Sequence, residues 1–328
     1  MSLTEKNHKR KVVVIGAGSV GATFCYALAQ SGLADEIVLV DQNIDLARGQ
    51  VLDLAHGQSF FPPVHIRVGD RKDYADASVL VMTAGARQQP GESRLHPLRR
   101  NAAIVRQVCR EMVDMNSPGV LVMVSNPVDI LTWVAAEETG WRPGRVLGSG
   151  TVLDSARFRS FLSQNCNIDI HNIHAYILGE HGDSEFAAWS MTHVAGIPID
   201  EYCDTCRRCA PTGQESEWLA VRKSIEEQVR YSAYHIIDYK GSTYFAIGLA
   251  LVRIVGAILR DENSVLTVST VLKGEYGLSD LCLSVPCIVA RHGVERIMEA
   301  RLTETEEEAL AASAAVLRTT LDELMQEE

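Results

Sequence analysis

Through its first 150 or so residues the chain alternates short apolar runs with longer stretches whose apolar residues recur every three to four positions. "KVVVIG", "EIVLVD", "VHIRVG", "SVLVMTAG", "VLVMVSNP" and "RVLGSG" read as strands. Several are apolar without polar alternation, the pattern of strands covered on both faces of a parallel sheet. Ser19 to Ser31 and Arg99 to Val113 read as helices between them. In the second, Ile104, Val105, Val108, Cys109 and Met112 form one apolar stripe. Repeated β-α units of this kind predict an α/β fold with a doubly wound parallel sheet.

Past about Gly150 the pattern changes. "SARFRSFLSQN", "ESEWLAVRKSIEEQVRYSAYHIIDYK" and "FAIGLALVRIVGAILRD" read as long helices, followed by the strand-like "VLTVSTVL" and "CLSVPCIVA". A last amphipathic helix opens at Thr303, with Glu306 at capping-box spacing. The shift predicts two domains, 1–148 and 149–328, the second of α+β type.

Composition narrows the function classes. Hydrophobic residues are 46% and charged residues 22% of the 328, an ordinary globular mix. A net charge of −11 argues against a nucleic-acid surface, which needs a basic stripe. It leaves room for an anionic small molecule held by a few arginines. No apolar run reaches the roughly 18 residues of a membrane span. The start, "MSLTEKNHKRK", lacks the apolar core of an export signal, so a cytoplasmic protein with reduced thiols is expected. Among the eight cysteines, "CDTCRRC" (Cys203, Cys206, Cys209) has metal-like spacing, but "APTG" follows it and no fourth ligand is near. No metal site is expected; at i, i+3, i+6 the thiols would share one helical face as small hydrophobes.

Gly16, Gly18 and Gly21 form G-x-G-x-x-G directly after a strand and at the mouth of a helix. The first permits a tight turn, the second a close backbone approach to a pyrophosphate, and the third close helix–sheet packing. The next strand ends in Asp41, twenty residues after Gly21. A carboxylate there accepts ribose hydroxyls and repels a 2′-phosphate, so a Rossmann-type domain binding NAD rather than NADP is expected.

Three further segments carry candidate chemistry. "GEHGDSE" sets His181 between two glycines, and "LDSARFR" puts Asp154 and Arg157 on one helical face. "ARQQPGESRLHPLRRN" follows the fourth strand at its carboxyl end and offers Arg94 on a loop with Pro90 and Gly91, a composition suited to a lid. Together with "GAGSVG", "TAGARQQPGESR", "VSNPVDILT", "GSGTVLDSARFR", "KGSTYFAIG" and "LSVPCI", in family order and spacing, these segments resemble the NAD-dependent lactate/malate dehydrogenase family. The resemblance runs from about Lys11 to the last helix.

It implies that His181 exchanges a proton with the substrate oxygen, that Asp154 orients and charges the imidazole, and that Arg157 takes the substrate carboxylate bidentately. Arg94 would close with the lid and polarise the carbonyl, Asn126 would contact the reacting oxygen, and Thr243 would line the pocket. NAD contacts are implied for Gly16, Gly18, Ser19, Val20, Gly21, Asp41, Gly85, Ala86, Val124, Asn126 and Ser149. Gln88 stands where malate enzymes of the family carry arginine. Neutral Gln88 would leave the second carboxylate of oxaloacetate unpaired, at a cost of about 3–5 kcal/mol. Pyruvate and L-lactate are therefore favoured over malate; a branched-chain 2-hydroxy acid is the nearest rival. A non-catalytic NAD-binding protein is the alternative of another class, opposed by the intact set of His181, Asp154, Arg157 and Arg94. Arg159 and His174 match positions that bind fructose 1,6-bisphosphate in allosteric bacterial members, and a bacterial-type homotetramer is expected.

Overall fold

The computed structural model describes residues 9–86, 95–208, 211 and 214–326. In chain order the elements open with β1 (Lys11–Ile15), α1 (Ser19–Ser31), β2 (Glu36–Val40), α2 (Ile44–His56), β3 (His65–Val68) and β4 (Val79–Met82). They continue with α3 (Leu95–Asp114), β5 (Val120–Met123), α4 (Val128–Thr139), β6 (Val146–Gly148) and α5 (Val152–Cys166). Five two-residue strands come next: β7 (Ile173–His174), β8 (Ile177–Leu178), β9 (Phe186–Ala187), β10 (His193–Val194) and β11 (Ile197–Pro198). The chain closes with α6 (Ile199–Cys206), α7 (Glu215–Lys240), α8 (Phe245–Leu259), β12 (Ser264–Lys273), β13 (Ser279–Ala290), β14 (Gly293–Ile297) and α9 (Glu304–Met325).

Two compact units result. The first comprises 1–149, 244–265 and 288–296, the second 150–243, 266–287 and 297–328. In the first, parallel strands lie in the order β3-β2-β1-β4-β5-β6. Val12, Val13, Val14, Val38, Leu39, Leu80, Val81, Leu121 and Val122 are wholly buried, which explains why these strands read as unbroken apolar runs. Each such side chain contributes about 1.5–3 kcal/mol on burial, an upper figure for a compact unfolded chain. The order reverses between β1 and β4, so a crevice opens at their carboxyl ends, where doubly wound sheets bind ligands. Helix α8 belongs to this unit because its Leu251, Ile254, Val255 and Ile258 are buried and its Gly248 lets α1 come close: a Cβ there would lie 3.1 Å from Thr23 Cγ2.

In the second unit α5 and α7 share a core of Phe158, Leu162, Trp218, Ile225 and Val229. Trp189 packs edge-on against Phe158 and Trp218, at 4.9 and 5.5 Å between ring centroids. Helix α9 opens with the capping box of Thr303 and Glu306. Buried Glu306 also accepts from the Ser190 backbone N–H and hydroxyl, tying the helix to the segment around Trp189.

Three departures from the sequence pattern have plain causes. Helix α3 begins at Leu95 rather than Arg99; Pro97 falls in its first turn, where a missing N–H costs little. Helices α2 and α4 are invisible to the stripe criterion for opposite reasons. Only Ala47 is buried in α2, whereas α4 is buried almost all round, including Asp129 and Thr132. Finally, α6 stops at Cys206, capped by Arg207 in the left-handed conformation, so no single helix carries all three cysteines of "CDTCRRC". Cys203 is buried and Cys206 half-buried; Cys209 lies outside the described residues.

Candidate active site

The glycine turn of the first unit is shaped by contacts that only glycine permits. Gly16 has φ +112°, and a Cβ there would lie 2.6 Å from the Ala84 backbone nitrogen. At Gly21 a Cβ would come within 1.9 Å of the Gly16 carbonyl. Around Gly18, by contrast, the space for a Cβ is open. Gly18 is the N-cap of α1 and offers no capping side chain, and the first turn carries no acid. The helix therefore presents free N–H groups and the positive end of its dipole to an anion. Ser19 and Val20, half-buried, begin that turn. Thr83, the residue just after β4, braces the turn, its hydroxyl donating to the carbonyls of Ile15 and Gly16 at 3.0 Å each.

At the end of β2, Asp41 accepts the Ala17 N–H at 2.6 Å and the Asn43 N–H at 2.7 Å. These bonds fix its carboxylate at the strand end, a group that can accept from ribose hydroxyls and repels a 2′-phosphate. The cradle thus fits a dinucleotide such as NAD. Beyond β4 and β5 the walls are held by Asn101 of α3, which is buried. It accepts the Ala86 N–H at 2.7 Å and donates to the Asn126 carbonyl at 3.0 Å, leaving the Asn126 side chain exposed. Gly85 is exposed beside Asn101, and the Val124 and Ser149 N–H groups pair with Met82 and Met123 at 2.9 and 2.8 Å.

In the second unit the chemistry converges on the first turn of α5. Thr151 and Ser155 anchor that turn: the Thr151 hydroxyl donates to the Ile177 carbonyl at 2.6 Å, and the Ser155 hydroxyl accepts the Ile177 N–H at 2.9 Å. The loop that follows β8 is pinned in turn. Gly179 exchanges both backbone bonds with Ser284 of β13 at 3.0 Å, and the Glu180 N–H donates to the Ser313 hydroxyl of α9 at 2.6 Å. This scaffold sets His181 Nδ1 at 2.6 Å from one Asp154 oxygen and Arg157 Nη1 at 2.6 Å from the other.

Asp154 is 1% exposed. Burial pushes its carboxyl up, but His181 and Arg157 together outweigh that and hold it below the usual carboxylate range. An ionised Asp154 can only accept, so Nδ1 of His181 carries the proton. The Arg157 guanidinium has a second terminal nitrogen, a geometry that suits a carboxylate. Thr243 is half-buried, two residues beyond the left-handed cap of α7 at Gly241. Arg159 is half-buried on α5 and His174 exposed on β7. Gln88 and Arg94 lie outside the described residues.

Sequence reasoning missed Glu185, whose carboxyl joins Asp154 and His181 in a group with one ligand atom each, all within 4.8 Å. The Arg157 cation already on Asp154 makes the group a poor host for a divalent ion. It also missed Asn101, Thr83 and Ser313. "GEHGDSE", "RRN" and "TAG" contain three of the four, but nothing in their spacing reports a bond to a distant strand or loop.

A glycine turn with an acid at the end of the next strand, together with a buried Asp paired to a His and an Arg, defines a nicotinamide-dependent dehydrogenase. The chain belongs to the lactate/malate dehydrogenase family: the family's NAD-binding domain matches residues 10–148, and its alpha/beta C-terminal domain residues 151–328. An L-lactate dehydrogenase of Treponema denticola is 57% identical over 96% of this chain and 98% of its own length. One from a Thermoanaerobacter species is 49% identical over 96% and 99%. Among solved structures, a lactate dehydrogenase from a deep-sea metagenome library superposes with a TM-score of 0.91 at 42% identity, covering 97% of this chain and 99% of that one. The ligand-bound minor L-lactate dehydrogenase of Enterococcus mundtii gives 0.91 at 41%, covering 96% and 98%. No helix among the described residues is long and apolar enough to cross a membrane.

Proposed function

We propose that this chain catalyses the reversible, NADH-dependent reduction of pyruvate to L-lactate. The observation that carries the reading is the buried Asp154 held at 2.6 Å from both His181 and Arg157. NADH, when bound, supplies the hydride that the carbonyl carbon receives. Arg157 fixes the substrate carboxylate and so turns the ketone toward His181. Nε2 of His181 gives its proton to the ketone oxygen, and the imidazole that remains stays bonded to Asp154. In the oxidative direction the same nitrogen takes the proton from the lactate hydroxyl. Asp154 stabilises the imidazolium on either side of the reaction, and the family resemblance assigns substrate contacts to Asn126 and Thr243. By the family resemblance Arg94 acts on the carbonyl, and Gln88 offers no cation to a second carboxylate.

The test is NADH consumption with pyruvate, oxaloacetate and a branched 2-oxo acid. Pyruvate should lead oxaloacetate by a hundredfold or more in kcat/KM, the equivalent of about 3 kcal/mol for an unpaired buried charge. Gln88→Arg should move the two values in opposite directions, and movement together would refute the assignment. For the assembly we propose a homotetramer in the cytoplasm, where NADH is made and used and where thiols stay reduced. Fructose 1,6-bisphosphate as an effector is proposed for Arg159 and His174, residue types suited to phosphate. A pyruvate saturation curve unmoved by that sugar bisphosphate would remove the effector.

A further inference from the structure

The proton relay has a neighbour that the reaction outlined above does not use. The turn after His181 is closed by the Glu185 N–H donating to the Gly182 carbonyl at 3.2 Å, which carries Glu185 inward until it is 6% exposed. From α7, Arg230 Nη2 donates to the Glu185 carbonyl at 3.1 Å. Among the described residues, the charged and titratable groups around the Glu185 carboxyl are Asp154 and Arg157 on α5, His181 on its own loop, and Arg230 on α7. Asp154 holds both direct ionic contacts, to His181 and to Arg157. A second carboxylate within 4.8 Å of that oxygen would repel it at close range.

We propose that Glu185 is a positioning residue of the relay: a buried, uncharged carboxyl that leaves Asp154 as the single negative charge on His181 and leaves Arg157 free for the substrate carboxylate. Burial pushes the Glu185 carboxyl well above its usual range, and the Asp154 charge adds to the push; His181, Arg157 and Arg230 offset only part of it. Two carboxylates on one imidazole would hold its proton too firmly to give up. An ionised Glu185 would also compete with substrate for Arg157. Neutral, it packs and polarises the pair without doing either.

The role rests on the proposed pyruvate reduction, so the tests include one that needs no substrate. Glu185→Gln, uncharged and of the same shape, should keep kcat within about twofold. It should also keep the alkaline limb of kcat/KM within about 0.3 pH unit of the wild type, the size of a neutral-for-neutral exchange. Glu185→Leu should lose threefold or more in kcat and raise the limb, since Asp154 loses a polar neighbour that shares its charge. Loss of an ionised carboxylate at this range would instead lower the limb of the Gln variant by about two pH units. That result would overturn the proposal. So would a Leu variant that matches the Gln variant in both quantities, since Glu185 would then only fill space. The substrate-free test is the infrared difference between wild type and Glu185→Gln at neutral pH. A protonated-carboxyl band in the wild type is expected, and its absence overturns the proposal even if the Leu variant does not fold. A wild type inactive on every 2-oxo acid would remove the pyruvate reading and leave this band to decide the state of Glu185.

Discussion

Asp154→Asn keeps the size of the side chain at the centre of the site and removes its charge. In the wild type that charge lies 2.6 Å from His181 Nδ1 and 2.6 Å from Arg157 Nη1, in a residue only 1% exposed. The amide oxygen can still accept one bond, but the imidazolium formed during turnover and the Arg157 guanidinium both lose their counter-ion. Removing one partner of a buried pair costs about 3–5 kcal/mol, because the remaining charge is left without compensation. At about 1.36 kcal/mol per factor of ten, kcat should fall roughly 150- to 5,000-fold. The proton affinity of His181 should fall too, moving the alkaline limb of kcat/KM to lower pH.

Stability carries a second signature. Asp154 is held below its unfolded value, so the folded state gains from its ionisation at all pH values above the ordinary carboxylate range. The gain is lost only as pH falls through the depressed folded value. The Tm gap between wild type and variant should therefore be widest from about pH 5 up to the pH at which His181 loses its proton, narrow above it because the imidazolium that Asp154 stabilises is gone, and close in stronger acid. Steady-state NADH consumption from about pH 5 to about pH 9, paired with thermal unfolding over the same range, tests both. A variant that keeps kcat within tenfold, or whose alkaline limb does not move, would refute the assignment of Asp154 as the partner of His181.

Two other perturbations read different parts of the molecule. Gly179→Ala forces φ +98° on a residue with a Cβ and drives that atom to 2.7 Å from the Ser313 hydroxyl. It should cost about 1–3 kcal/mol, seen as a lower Tm, and should reduce kcat because His181 follows two residues on. Asp41→Ser removes the carboxylate that accepts the Ala17 and Asn43 N–H groups. The ratio of kcat/KM for NADH over NADPH should fall at least about tenfold, since like charge no longer meets the 2′-phosphate; an unchanged ratio would place cofactor selection elsewhere.

Much of this protein is written in local pattern. Unbroken apolar runs marked the strands of the parallel sheet, because burial on both faces removes the need for alternation. The glycine triplet, Asp41 at the next strand end and the Thr303–Glu306 capping box each depend on a few neighbouring residues, and spacing alone is enough to find them. The i, i+3 placement of Asp154 and Arg157 was equally local, since one helical turn brings them together. Helix α2 escaped because it buries one residue, and α4 because it has no polar face to contrast with its buried one.

What the chain could not announce is which distant segments meet, and in what dielectric. His181 reaches Asp154 across 27 residues and Glu180 reaches Ser313 across 133, so both contacts exist only once α5, the loop after β8 and α9 have packed. The membership of α8 in the first unit is likewise a matter of its face against α1. Glu185 makes the division plainest: its identity and place after His181 stand in the sequence, but its proton does not. An acid on a solvated loop is a carboxylate at neutral pH. Burial beside the charge of Asp154 removes the water that would stabilise the ion, and only the tertiary structure brings those conditions about.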